Sequence, residues 1–333
     1  MHARLDGTAR PLGRAWRMPG GGGAFVLFVL SRAAYGLAVL LGVATLAFAL
    51  IHFSGDPVTA LAPPGASSQD QAALRQRFAL DRSLPVQYAS FLGNAAQADF
   101  GESWSQRRPA LTAVIERLPA TLALAGAALG IALLIGVPLG IAAGARPRGG
   151  IGALASGVAL LGQAIPGFWL GTMLILAFAV ERRWFPASGY DDPRSLVLPA
   201  LTLAAYPLAT VVRLLRASLA ETITGDFVRT ARGKGLAASV VLWRHVLPNA
   251  ALPALAYVGL QIGFLLGGAV VVEGVFAYPG IGRLALQAVA DRDLPLIQAI
   301  VVTVAALIVG VNLLVDLLAA WIDPRSRGAE AVG

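Results

Sequence analysis

The chain has 333 residues, of which 57% are hydrophobic and 13% charged, with 38 glycines, no cysteine and a formal net charge of +8. That balance lies outside the range of a soluble globular domain and places the chain in a membrane. The missing cysteines exclude a disulfide framework, a thiolate metal site and a cysteine nucleophile, and the three histidines, His2, His52 and His245, lack metal-ligand spacing.

In chain order, residues 1–24 read as a disordered basic cytoplasmic tail, with Arg4, Arg10, Arg14 and Arg17 ahead of the glycines at 20–23. The apolar run 25–53 is predicted to be a retained transmembrane helix rather than a cleaved leader, given its length and the spans that follow. Residues 54–116 form an extracytoplasmic helical subdomain, with helices expected over 69–80, capped by Ser68, and over 86–97, opened by Pro85. Leu84, Tyr88, Phe91 and Leu92 fall at helical spacing there.

Five further segments are long enough to cross a hydrocarbon core of about 30 Å: 118–145, 149–180, 195–215, 246–272 and 294–322. Backbone groups in lipid must be satisfied internally, so the expected class is an all-α polytopic membrane protein of six transmembrane helices. Gly136, Gly140 and Gly144, like Gly259, Gly263 and Gly267, recur every fourth residue and suit close helix packing, within the chain ahead of a dimer face. Polar residues inside spans are few: Gln163, Gln261, Asn312 and Asp316, with Glu273 near an outer end. Asp316 reads as structural, paired with Arg325 or with a neighbouring helix.

Placing both termini in the cytoplasm gathers Arg4, Arg10, Arg14, Arg17, Arg32, Arg146, Arg148, Arg213, Arg216, Arg229, Arg232, Lys234, Arg244, Arg325 and Arg327 on the inner side, out of 26 basic residues. This bias sets the orientation. The same side holds a basic insert, 217–248, too polar to span. Gly235 divides it into two helix-compatible pieces, 224–234 and 236–246, and Pro248 marks re-entry into the membrane. Read from composition alone, its cations hold anionic lipid headgroups, at about 1 kcal/mol each.

This insert resembles the cytoplasmic loop of the permease subunits of bacterial ABC importers, whose pattern is Glu-Ala-Ala, three residues, Gly, nine residues, an apolar residue, one residue, then Leu-Pro. Aligned on Gly235, the last two positions are Leu247 and Pro248; Arg229, Thr230 and Ala231 occupy the first three, and His245 replaces the apolar residue. The form Val-Arg-Thr-Ala-Arg-x-Lys-Gly-Leu at 228–236 is similar to the dipeptide, oligopeptide and nickel permease branch. So are Gly55-Asp-Pro57, Leu84-Pro-Val-Gln-Tyr88, Glu116-Arg-Leu-Pro-Ala-Thr121, Gly162-Gln-Ala-Ile-Pro166, Phe168-Trp-Leu-Gly171, Pro186-Ala-Ser-Gly189, Tyr278-Pro-Gly-Ile-Gly282 and Asp323-Pro-Arg325. The resemblance runs from residue 25 to residue 327.

It implies a type I ABC importer permease in the bacterial inner membrane, with a permease core over 117–327 and a short tail at 328–333. Its implied partners are a second homologous permease, two ATP-binding subunits, an extracytoplasmic solute-binding protein and membrane lipids, with no nucleic acid. Asp226, Phe227, Arg229, Thr230, Ala231, Arg232, Lys234, Gly235 and Leu236 would form a coupling helix docking on the ATPase. Closing of the ATPase dimer would tilt the spans from inward-open to outward-open. Phe227, Ala231 and Leu236 would anchor by apolar contact, and the cations would bind acidic or backbone acceptors. The chain needs no cofactor of its own: its only lysine, Lys234, is followed by glycine, so it lacks the phosphate-cradling Gly-x-x-x-x-Gly-Lys-Ser/Thr, and ATP and magnesium belong to the partners.

The implied substrate path lies against the partner permease, with Gln163, Trp169 and Gln261 as candidates; each serves equally as a packing residue, and for Trp169 packing is the favoured role. The outer segment 54–116 and the connection 278–295 either meet the binding protein or cap the bundle. Peptides are the expected cargo, with nickel, glutathione or another small solute as the alternative. A secondary transporter would show internal repeats or a charged pathway, and a membrane enzyme a His-Glu-x-x-His or Gly-x-Ser-x-Gly motif, neither of which occurs.

Overall fold

The computed structural model describes residues 21–53, 58, 67–77, 81–146 and 149–322. Among them there is no strand, only an isolated bridge between Glu102 and Pro109. The helices are α1 (Gly21–Phe53), α2 (Ser68–Arg77), α3 (Leu84–Ala96), α4 (Ala110–Ala145), α5 (Gly150–Ala164), α6 (Gly167–Leu174, continued by a π-helical turn Ile175–Glu181) and α7 (Val197–Thr222). They continue as α8 (Asp226–Gly233), α9 (Ala238–Val240, followed by a π-helical turn Val241–Val246), α10 (Leu247–Ala250), α11 (Leu252–Val275), α12 (Ile281–Ala290) and α13 (Leu294–Ile322).

The last span is the one predicted, residue for residue, and four helices pass as single spans by length and composition. The expected span over 149–180 is instead two helices meeting at 106° between Ala164 and Gly167. Pro166 has no N–H to donate and its ring disfavours helical geometry at Ile165, so the apolar run turns where sequence hydropathy reads straight through. The span over 246–272 is likewise bent, by 59°, between Gly259 and Gly263. α1 starts at Gly21, so residues 21–24 are its first turn rather than part of the tail, and α4 starts at Ala110 instead of 118. Gly55-Asp56-Pro57, Arg325, Arg327 and the terminal tails lie outside the described residues.

At the centre of the bundle α7 packs most extensively on α4 and also touches α5, α6 and α11. The glycine ladder explains the first contact. A Cβ on Gly140 would stand 2.8 Å from Leu215 Cβ, and one on Gly144 2.7 Å from Leu219 Cβ; Gly136 faces Val211 in the same way. Both helices step four residues at a time in the same direction, so small residues on α4 receive branched residues of α7 along a parallel contact. The ladder is therefore an internal one, as expected. Gly259 and Gly263 face Val315 and Ile308 of α13.

Asp316 pairs with Arg32 of α1, at 3.3 Å, so the neighbouring helix supplies its partner. Arg32, assigned to the inner side by charge counting, lies within α1. This pair borders a cavity of about 530 Å³ between α1, α11 and α13. Elsewhere α1 is tied to α3: Phe48 stacks on Phe91 with ring centres 5.8 Å apart, and Thr45 shares a 2.6 Å hydrogen bond with the Tyr88 hydroxyl. Tyr88 and Phe91 are thus the part of the predicted helical stripe that seats the subdomain on the first span.

Candidate functional site

Two ends of the bundle and one stripe between them carry the polar chemistry. At the end formed by 102–109, 182–193 and 276–293, two buried carboxylates organise the backbone. Glu273, fully buried near the end of α11, accepts from Thr121 Oγ1 at 2.7 Å and from the Arg283 amide at 3.0 Å, and Thr121 accepts in turn from the Ile281 amide at 2.8 Å. The carboxylate thereby satisfies amides left open at the start of α12. Gly280 makes room for it: a Cβ there would lie 2.1 Å from Glu273 Oε1, while its φ of −98° demands no glycine. A Cβ on Gly282 would stand 2.4 Å from Val270 Cα. The Tyr278-Pro-Gly-Ile-Gly282 motif is thus a cage around a buried acid.

Tyr278 packs edge-on against Tyr190, ring centres 5.4 Å apart, and burial, then Tyr190 and Glu273, push its phenol up to about 12. Asp293 accepts from Ser103 Oγ (2.6 Å), Ser105 N (2.9 Å), Ser105 Oγ (2.8 Å) and Leu296 N (3.2 Å), joining the 102–109 turn to the start of α13. Burial alone would raise its pKa, but these hydrogen bonds outweigh it and hold the carboxyl below its ordinary range. The folded pKa lies below the unfolded one, so the carboxylate stabilises the fold above about pH 4 and that contribution is lost as pH falls through the folded value. In thermal melts of the purified chain, Asp293→Asn should lie well below wild type from pH 5 to 7, with the gap closing at lower pH. A gap independent of pH would show that the ionised form is not what matters. Much of the 278–295 connection therefore caps the bundle, although Leu286 and Val289 of α12 remain exposed.

At the opposite end lies the basic insert. Gly235 has φ +78°, the left-handed conformation that lets α8 stop and the chain reverse toward α9. α8 is shorter than predicted, Asp226–Gly233, and the second piece runs through the π-helical turn into Leu247 and Pro248 at the head of α10. Val228 and Ala231 are buried against Leu219, Val241, Val246 and Ala250. Ala231, expected among the anchors toward a partner, is instead the rivet that holds α8 to its own chain. Phe227 and Leu236 are exposed, as are Arg229, Thr230, Arg232 and Lys234. Arg229 pairs with Asp226 at 2.9 Å on the open surface, and Thr230 Oγ1 donates to the Asp226 carbonyl. Exposed pairs of this kind contribute about 0.2–1 kcal/mol, so the outward face is held by the inward one.

Of the predicted path residues, Gln163 sits beside the bend after α5, Trp169 is about half exposed on α6 at 47%, and Gln261 is buried in the bent part of α11. Its own chain thus covers about half of the Trp169 side chain and leaves the other half open. Gln163 is the one found in a polar network, accepting from Arg213 Nη1 at 2.9 Å and donating to Thr210 Oγ1 at 3.3 Å. Charge counting places Arg213 and Arg216 with the inner-side cations. They lie within α7, which extends to Thr222, and Arg216 donates to Ser156 of α5. An arginine inside an apolar span is a signal visible in sequence; its partner, fifty residues away, is not.

The residues 136–328 match the family of binding-protein-dependent transport system inner membrane components. The chain belongs to that family, a group of membrane transport components. Among relatives, it is 36% identical over 310 residues to the oligopeptide transport system permease protein AppB of Bacillus subtilis, covering 90% of this chain and 98% of that protein. It is 38% identical over 301 residues to the glutathione transport system permease protein GsiC of Salmonella typhimurium, with 90% and 98% covered. The MetNI methionine ABC transporter, solved in inward facing conformations, aligns with 64% of this chain and 95% of its own at 18% identity and a TM-score of 0.48.

Proposed function

We propose that this chain is one permease subunit of an ATP-driven importer that takes up di- or oligopeptides delivered by an extracytoplasmic binding protein. It would work with a second homologous permease and two ATP-binding subunits that hold and hydrolyse magnesium-bound ATP. The orientation that fits has both termini and the α8 turn in the cytoplasm and the Glu273 and Asp293 cap outside. The observation that carries the reading is α8: a helix riveted by Val228 and Ala231 whose other face offers Phe227, Arg229, Arg232 and Lys234 to solvent. Such a helix transmits a push into α7 and α10, to which its buried side is joined through Leu219, Val246 and Ala250.

The name of AppB supports peptides as cargo, and that of GsiC supports glutathione as the second reading. Co-purification of the tagged chain from its native membrane tests both. A second permease, ATPase subunits, and ATP hydrolysis stimulated by a binding protein are the expected outcome; mass spectrometry of that protein's ligand then distinguishes peptide, glutathione and nickel. A chain that purifies alone and moves solute without ATP overturns the proposal.

A further inference from the structure

Arg213 is a cation inside a spanning helix without a carboxylate partner: the ion pairs among the described residues all lie elsewhere. Thr222 closes α7 nine residues further on, about 13 Å along the axis. An arginine that merely tolerated lipid would extend its stem toward the nearer headgroups. This one is turned sideways instead, with Nη1 on Gln163 Oε1 at 2.9 Å, and Gln163 stands about 20 Å along α5 from Gly150. Among the described residues Gln163 is the one hydrogen-bond acceptor this guanidinium uses, so its Nε and Nη2 edge is free.

Three helices meet around it. Gln163 of α5 also donates to Thr210 of α7, and Tyr257 of α11 packs against the neighbouring cluster of Val211 and Leu215 of α7. The Tyr257 hydroxyl is buried there. Tyr206, one turn before Thr210, is half exposed. Arg216, one turn beyond Arg213, donates to Ser156. Tyr206, Thr210, Arg213 and Arg216 thus mark one stripe on the central helix of the bundle, at i, i+4, i+7 and i+10. A lipid-facing surface within a span is apolar, whereas a stripe carrying cations without carboxylate partners suits a hydrated path.

We propose that Arg213 is an anion-recognition station of the translocation path, taking the C-terminal carboxylate of the passing peptide on its free edge while Gln163 holds the guanidinium in place. The proposal rests on the peptide-importer reading. A planar guanidinium with one edge fixed and one open matches a carboxylate by two parallel hydrogen bonds, which a point-like ammonium does not. Gln163 is a positioning residue here, and Tyr206 supplies a neutral polar wall.

The test uses the complete complex, with its partner permease, ATPases and binding protein, in proteoliposomes, measuring uptake of trialanine and of trialanine C-terminal amide. Wild type should show an apparent KM lower for the acid than for the amide. Arg213→Gln should raise the KM for the acid about tenfold, the scale of one hydrogen bond to a charged group, and leave the amide unchanged. Gln163→Glu, which places a carboxylate against Arg213, should act on the acid alone in the same direction, and it keeps the test open should Arg213→Gln assemble poorly. Equal KM values for the two peptides in wild type, or variants that slow both alike, overturn the inference while the importer reading stands. A defect in both variants that follows the phosphatidylglycerol content of the vesicles rather than the peptide terminus would assign Arg213 to lipid phosphate and likewise overturn it. Wild-type complex that hydrolyses ATP but takes up neither peptide removes the peptide reading and this inference with it.

Discussion

Gly282→Ala is expected to be among the most damaging single-methyl changes within the described residues. The added Cβ would lie 2.4 Å from Val270 Cα and 3.0 Å from Glu273 Oε2, and the first of these is backbone that has no rotamer to change. α11 and α12 must then part, pulling the Arg283 amide from Glu273. Overpacking costs about 1–3 kcal/mol, and a buried carboxylate losing a hydrogen bond adds about 1.5–3 kcal/mol. That total is comparable with the whole stability of many domains. The expected result is little folded protein in detergent, read by fluorescence-detected size exclusion. Gly267→Ala is the control, because a Cβ there meets nothing within 4 Å. Equal yields of the two variants would show that the α11 to α12 junction yields without cost.

Gly235→Val should instead leave the spans intact and break their coupling to ATP. Nothing lies within 4 Å of a Cβ at Gly235, so the obstacle is conformational: φ +78° is strained for any side chain and most for a β-branched one. Relaxing it re-aims the end of α8, where Lys234 and Leu236 sit, while Val228 and Ala231 stay buried. ATP hydrolysis by the assembled complex should persist, with peptide uptake per ATP falling about tenfold or more, a loss equivalent to about 1.4 kcal/mol of coupling. Uptake per ATP equal to wild type would count against α8 as the transmitting element.

The contrast between these two glycines shows where sequence reading reaches and where it stops. Gly235 was legible: a glycine between two helix-compatible pieces implies a reversal, and a positive φ is what such a reversal uses. Gly282 stood in a motif whose reason was invisible, because Glu273 precedes it on another helix and only packing brings the acid under the turn. The glycines at 136, 140 and 144 announced a close approach without naming Val211, Leu215 and Leu219 as its other side. Ala231 was assigned outward by its place in the basic insert, and it points inward because α8 needs one apolar face against its own chain.

From the residues alone came the membrane environment, the all-helical class, the ends of the last span and the polar turn between α7 and α10. These follow from local physics: a stretch of apolar residues long enough to cross lipid must be helical, and glycine and proline interrupt it. Tertiary structure decided the 106° bend between α5 and α6, the Arg32 to Asp316 pair, the caged Glu273 and the Arg213 to Gln163 station. Hydropathy records how much a segment avoids water but not its direction, and a buried charge takes its partner from whichever helix packing brings beside it.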